Sequence, residues 1–301
     1  MGLRGAHRTG PRVLAVSEYH DALRFCLAHG ADGVMAGARL DETCRHLAAG
    51  GRHQATAASM GEVWVKERPR SRGRQADGWI DSLVWAGGNL IPVAVGSDCA
   101  PEYGALARRR GRRYLSIVGG AAAVAGMWRV LEPGSPRPRA YRPCQPLLVI
   151  DTAAFTNPDP EVKVAGPDQL ETILPACWDM FTEELGFPPP GPQDAYKAHV
   201  ASQLKAGCIL ARLDPASGQV IFKAELGAAA GDWVQVQGVW TDPRWRGQGY
   251  AKAGMAAILA EAGRRGYRHV CLYVNDFNAA ALNVYQAVGF TQASTWATVM
   301  F

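Results

Sequence analysis

The chain has 301 residues, room for two domains of ordinary size, and its 48% hydrophobic and 20% charged content is that of a globular protein with a sizeable core. No uncharged apolar run reaches the 18 residues of a membrane span, and Met1–Arg12 lacks a secretory hydrophobic core, so a cytoplasmic protein without a membrane partner is expected. The net charge is +5, unevenly placed: +9 over residues 1–150 and −4 over residues 151–301.

Seven cysteines, an odd number with no CxxC pair, read as thiols in a reducing compartment. Cys26, His29, Cys44, His46 and His53 could be drawn as a metal cluster. Their spacings match no zinc pattern and they fall on amphipathic helix or its ends, so no metal is expected.

In chain order, Glu62–Glu67 and Trp79–Trp85 read as a hairpin, followed by an extended run at Asn89–Val95. Residues 96–104 are a loop, Tyr114–Val118 a strand and Ala121–Leu131 an alanine-rich helix. The basic segments Lys66–Arg74 and Arg108–Arg113 lack interleaved aromatics and read as solvated surface, which disfavours a nucleic-acid partner. Prolines at 133, 136, 138, 143, 146, 158, 160 and 167 forbid a continuous helix from Glu132 to Pro167. That passage is expected to be an ordered crossover, with Pro146–Asp151 apolar enough for a strand.

Beyond it, Val162–Val164 is a short strand, and Gln169–Glu184 and Ala195–Lys205 are helices flanking a Pro-rich loop. Ile209–Leu213 and Val220–Leu226 form a hairpin across the turn-rich Asp214–Gly218. Next come strand Trp233–Thr241, helix Lys252–Arg265, strand His269–Val274, helix Asn278–Val288 and a final strand, Ser294–Phe301.

Between the strand at Trp233–Thr241 and the helix after it lies Arg246-Gly247-Gln248-Gly249-Tyr250-Ala251. Two glycines permit a tight turn with exposed N–H groups, and the helix adds its unpaired first-turn donors and positive dipole end. Strand, glycine loop and helix N-terminus together suit a pyrophosphate. A dinucleotide fingerprint is excluded because Lys252 stands where a third glycine belongs, and no G-K-[ST] tripeptide supports a P-loop.

Arg246-x-x-Gly249-x-Ala251 resembles the R/Q-x-x-G-x-G/A signature of the GNAT superfamily of N-acetyltransferases. Leu272–Phe290 resembles that family's next segment, in which a strand leads to an Asn that opens a helix, a Tyr follows seven residues later, and Gly-Phe closes the helix. Asn278, Tyr285 and Gly289-Phe290 occupy those places. The resemblance implies an α/β (α+β) fold of tandem acetyltransferase-like domains, each a mixed, mostly antiparallel sheet flanked by helices. It covers a catalytic domain over 162–301, a Pro-rich crossover over 141–161 and a degenerate acetyltransferase-like domain over 12–140. The N-terminal half repeats the strand and helix pattern, yet residues 96–104 lack the glycine signature and Gly119-Gly120 replace the Asn. The two-part plan is similar to tandem actinobacterial members with an N-terminal domain of unknown function.

The resemblance also implies site roles. Backbone groups of Val239, Trp240 and Thr241 would pair with a pantetheine arm, and the loop Arg246, Gly247, Gln248, Gly249, Tyr250, Ala251 and Lys252 would take the pyrophosphate of acetyl-CoA. Asn278 would hydrogen-bond the cofactor, with helix capping as its ordinary role. Tyr285 would protonate the departing thiolate. Glu225, sharing a strand face with Lys223, is the candidate general base, and Glu183 and Glu184 border the acceptor cleft. The implied function is acetyl transfer from acetyl-CoA to a primary amine of a small molecule or peptide by direct attack. A biosynthetic acyltransferase of the mycothiol-synthase kind and a non-catalytic CoA-sensing or protein-binding module are the alternatives.

Overall fold

The computed structural model describes residues 10–48, 61–68, 78–111, 114–154, 157–189 and 191–301. His53, residues 69–74 of the first basic segment, and Arg112 and Arg113 of the second lie outside them. Among the described residues no helix is long and apolar enough to cross a membrane. Nor does any group of three or more His, Cys, Asp or Glu among them stand close enough to hold a metal.

The chain forms two compact units. One runs to Pro146 and also contains Ser294–Phe301; the other is Leu147–Ala293. In chain order the elements are β1 Arg12–Val13, α1 Tyr19–Ala28, α2 Gly30–Ala48, β2 Glu62–Glu67, β3 Ile80–Ala86, β4 Asn89–Val93, α3 Ala100–Arg110, β5 Ser116–Gly120, α4 Ala121–Leu131 and β6 Ala140–Asp151. There follow β7 Lys163–Val164, α5 Leu170–Leu185, α6 Gln193–Lys205, β8 Ile209–Leu213, β9 Val220–Ala230, β10 Trp233–Thr241, α7 Tyr250–Arg264, β11 His269–Tyr273, α8 Ala279–Val288 and β12 Thr291–Met300. The two runs share one order of strands and helices: strand, two helices, three strands, helix, strand, helix, strand. This is the mixed, mostly antiparallel architecture expected from the sequence.

The first unit's sheet is ordered β1-β2-β3-β4-β5-β12 and the second's β6-β11-β10-β9-β8-β7. Among the described residues, β4 pairs parallel with β5 and β10 with β11. The expected final strand, Ser294–Phe301, does not complete the C-terminal unit. Its residues Trp296–Met300 pair antiparallel with β5, and the edge of β11 is covered instead by Leu147–Asp151 of β6. The alternation of a terminal strand tells which face is buried, not which neighbour it joins. The proline-rich crossover is likewise more regular than expected, since β6 runs through Pro143 and Pro146.

Strand alternation sorts the second unit into two layers. Phe222, Ala224 and Leu226 of β9 and Val234 and Val236 of β10 face α7 and α8. On the other side Ile209, Ala211, Val220 and Trp240 pack with Ile173, Ala176 and Cys177 of α5 and Val200 and Leu204 of α6. Gly254 sets how closely α7 lies on the sheet: a Cβ there would be 2.5 Å from the Phe222 ring.

Candidate active site

The parallel ladder between β10 and β11 covers only Trp233↔His269 to Gln235↔Cys271 and then stops. Beyond that point the strands part. On its other side β10 pairs with β9 through a bulge between Gln237 and Trp240, where Gly238 takes φ 59°. The result is a cleft of about 610 Å³, lined by Gln235–Thr241 on one side and Leu272–Asn275 on the other. Backbone donors and acceptors on a strand edge without a neighbour are an unsatisfied ladder, ready to take an extended ligand as an added strand.

The glycine loop closes one end of this cleft. Gly247 and Gly249 adopt φ 76° and 87°, and a Cβ on either would meet no protein atom within 4 Å. The glycines are thus required by the left-handed backbone, and the volume above them is open for a ligand. Gly249 caps α7, so the first-turn N–H groups of Tyr250, Ala251 and Lys252 point into that volume. Asp242 braces the loop from behind by accepting from the Arg244 N–H at 2.8 Å and from its guanidinium. Those bonds hold the Asp242 carboxyl below the usual carboxylate range. Arg246 donates to the Thr241 carbonyl at 2.9 Å and pairs with Glu183 at 2.5 Å. Both side chains of that ion pair are about half exposed, so it is worth at most about 1 kcal/mol and yields readily to an incoming phosphate.

The helix α8 supplies the opposite wall. The Asn278 Oδ1 caps it by accepting from the Ala281 N–H at 3.1 Å, which leaves the amide Nδ2 to donate to a ligand. Tyr285, two turns on, is 6% exposed and rests edge-on against Phe290. Its hydroxyl has no hydrogen-bond partner among the described residues, and Tyr285 is one of the residues that line the cleft. Burial, and secondarily the charge of Glu184, push the phenol well above its ordinary range, so it stays protonated at neutral pH. Glu183 and Glu184, at the end of α5, line the same cleft.

Every residue given a catalytic, cofactor or acceptor role from the sequence lines this cleft except two. Gln248 turns back to donate to the Arg244 carbonyl at 3.2 Å. Glu225 is buried below the bulge, where one carboxylate oxygen meets the ammonium of Lys223 at 2.6 Å and the other accepts from Gln237 at 3.2 Å. Lys223 is fully buried. Burial opposes its charge, but Glu225 and the neighbouring Cys177 outweigh that, and the ammonium keeps its proton above the ordinary lysine range. Sequence reasoning correctly put Lys223 and Glu225 on one face but could not see that they neutralise each other. It also missed Met180, Gln235, Tyr273, Asn275 and Phe277, all of which line the cleft. Gln235 had a legible signal, a polar side chain in period-two register with Gln237 inside an otherwise apolar strand.

The first unit has no such cradle at the corresponding turn. Cys99 and Ala100 are buried at the start of α3, the Cys99 thiol reaches back to the Gly96 carbonyl, and Pro101 removes one first-turn N–H.

A splayed parallel pair, a bulged strand and a glycine cradle at a helix N-terminus together define an acetyltransferase fold. Residues 172–290 match the model of the Acetyltransferase (GNAT) family. Residues 70–173 match a domain of unknown function, DUF4081. A stretch of 69 residues is 39% identical to a mycothiol acetyltransferase from Thermobispora bispora, spanning 23% of this chain and 23% of that protein. Among solved structures, a GNAT-family acetyltransferase from Colwellia psychrerythraea aligns with TM-score 0.55 at 13% identity over 97% of this chain and 99% of its own. A GCN5-related N-acetyltransferase from Sphaerobacter thermophilus aligns with TM-score 0.57 at 17% identity over 96% and 93%. A tandem GNAT protein from the clavulanic acid biosynthesis pathway aligns with TM-score 0.52 at 13% identity over 96% of each chain. At these identities the structural likeness establishes the fold.

Proposed function

We propose that this chain is an acetyl-CoA-dependent N-acetyltransferase that acetylates a primary amine of a small molecule or protein by direct attack. The observation that carries this reading is the meeting, in one cleft, of an unpaired strand edge, a phosphate cradle and a protonated phenol without a partner. Acetyl-CoA supplies an acetyl group activated as a thioester. The edge of β10 from Val239 to Thr241 holds the extended pantetheine, and the amides from Gly247 to Lys252 hold the pyrophosphate. The Asn278 Nδ2 donates to the same ligand. Tyr285 directs its hydroxyl at the sulfur.

The attacking amine must shed a proton, and Glu184 is placed to take it, directly or through water. It lines the cleft and lies close enough to Tyr285 for its charge to act on the phenol. Glu225, the base expected from the sequence, has both oxygens committed inside the buried pair. If that pair is structural, replacing it whole by Lys223→Met with Glu225→Leu keeps stability within about 2 kcal/mol, because desolvating two charges consumes most of their attraction. Acetyl-CoA turnover by this double variant should stay within about fivefold of the parent. A turnover fall of a hundredfold at unchanged melting temperature would return the base role to Glu225.

The general test is thiol release from acetyl-CoA against a panel of amines and peptides; no release with any of them would refute the proposal. Because the turn at 96–104 is packed closed, titration calorimetry should give one acetyl-CoA per chain. Two equivalents would overturn that assignment. The local identity to a mycothiol acetyltransferase favours a second reading, a small-molecule biosynthetic acyltransferase, under which peptides would fail in the panel while one small amine is turned over.

A further inference from the structure

One aromatic ring holds the glycine loop at both ends. Tyr250, the first residue of α7, meets Trp245 edge-on, with ring centroids 5.5 Å apart and planes at 85°. These two residues bracket Arg246–Gly249, so their contact joins the turn before the loop to the helix after it. The guanidinium of Arg212, on β8, lies over the same Tyr250 ring, 4.7 Å from its centroid. Arg212 also pairs with the buried carboxylate of Asp159. The other oxygen of Asp159 accepts from the Glu161 N–H at 2.9 Å, and its backbone N–H donates to the Ala253 carbonyl of α7 at 3.2 Å. The Arg212 Nε is buried without a hydrogen-bond partner among the described residues, so hydrogen bonding alone does not set where the guanidinium lies.

Trp245 and Tyr250 line the cleft, whereas Arg212 is not among the described residues that do. Arg212 therefore acts on that volume through Tyr250. Two positive-φ glycines within three residues give the loop unusual backbone freedom, and freedom that survives folding must be given up when a ligand binds. A cation over the ring face and an indole against its edge are both attractive arrangements. Together they fix Tyr250, and with it the N–H groups of the first turn of α7, before a ligand arrives. The anchor is firm, because β8 is paired with β9 from Ile209 to Leu213.

We infer that Arg212 is a positioning residue for the cofactor: stacked on Tyr250 and held by Asp159, it pre-orders the glycine loop that takes the pyrophosphate. This rests on the acetyltransferase reading above. Two variants break the stack from opposite sides. Tyr250→Leu removes the ring and leaves the ion pair; Arg212→Met with Asp159→Asn removes both charges together, so that no buried carboxylate is left alone. Each should weaken acetyl-CoA binding about tenfold in titration calorimetry, the scale of a desolvated cation–π contact. Amide hydrogen exchange over residues 246–252 of the unliganded protein should quicken in both, while the melting temperature moves only a few degrees. With an amine that is turned over, the loss should fall on the acetyl-CoA KM and not on kcat. Combining all three substitutions should weaken binding no more than about twofold beyond either variant, because both break one contact. Unchanged affinity, or weaker binding without faster exchange, overturns the inference. So do losses that add to about a hundredfold in the combined variant, which would mean that Arg212 and Tyr250 act independently. Should the paired substitution fail to fold, Tyr250→Leu decides by affinity and exchange, since it keeps the Arg212–Asp159 pair. A parent that binds no acetyl-CoA refutes the acetyltransferase reading and the inference with it; a parent that binds, with variants that bind equally well, refutes the inference alone.

Discussion

Gly249→Glu should abolish acetyl-CoA binding, by a hundredfold or more in titration calorimetry, while leaving the fold intact. Gly249 has φ 87°, a conformation that costs a side chain about 1–2 kcal/mol. A carboxylate at the N-terminus of α7 recovers about 0.3–1 kcal/mol of that from the helix dipole. Since a Cβ there meets no protein atom within 4 Å, no clash adds to the balance and the melting temperature should move only a few degrees. The effect falls on the ligand. The new carboxylate occupies the open volume over the first-turn amides and takes the donors that a pyrophosphate needs. Gly249→Ala separates the contributions, because it carries the strain without the charge and should lose affinity only modestly. Full affinity in the Glu variant would remove the pyrophosphate from this loop, and with it the basis for reading the cleft as a coenzyme A site.

How far the sequence could reach is clearest from which residues it placed and which it did not. The glycine loop, the Asn278–Tyr285 spacing and the Gly289 closure were legible because each is local. A turn that needs positive φ, a helix cap and a seven-residue helical repeat are written within a few positions of one another. The same holds for the sorting of Phe222, Ala224 and Leu226 from Lys223 and Glu225, which needs only the alternation of a strand. What escaped depends on tertiary choice. Nothing in residues 294–300 distinguishes pairing with β5 from pairing with β11, since both partners offer an apolar antiparallel edge. Nothing near Glu225 announces that Lys223 and Gln237 would consume its two oxygens. The cleft itself comes from the parting of two parallel strands after three rungs, a feature of sheet geometry that no single segment encodes.

Tyr285→Phe should lower turnover ten- to a thousandfold with little change in acetyl-CoA affinity or stability. The phenol is buried, protonated and without a hydrogen-bond partner among the described residues, so its hydroxyl contributes no protein hydrogen bond that the variant could lose. Deleting an unpaired buried polar group is neutral or slightly stabilising, and the melting temperature should hold or rise. Its value lies in the reaction. As the thioester breaks, charge gathers on sulfur, and a positioned donor in a site screened from water stabilises that charge by about 1.5–3 kcal/mol as a hydrogen bond alone. Transfer of the proton during the step adds to this. Burial and Glu184 raise the Tyr285 pKa, so the proton is retained as pH rises past 10, the ordinary tyrosine value. The parent's rate should therefore show no alkaline loss from this residue below that pH. The ratio of parent to Phe-variant rates should stay flat from pH 7 to 9.5. A ratio that falls away within that range would mean that the phenol titrates normally and is exposed to solvent. A Phe variant with parental turnover would leave Tyr285 a packing residue, and the thiolate would have to find its stabilisation elsewhere in the cleft.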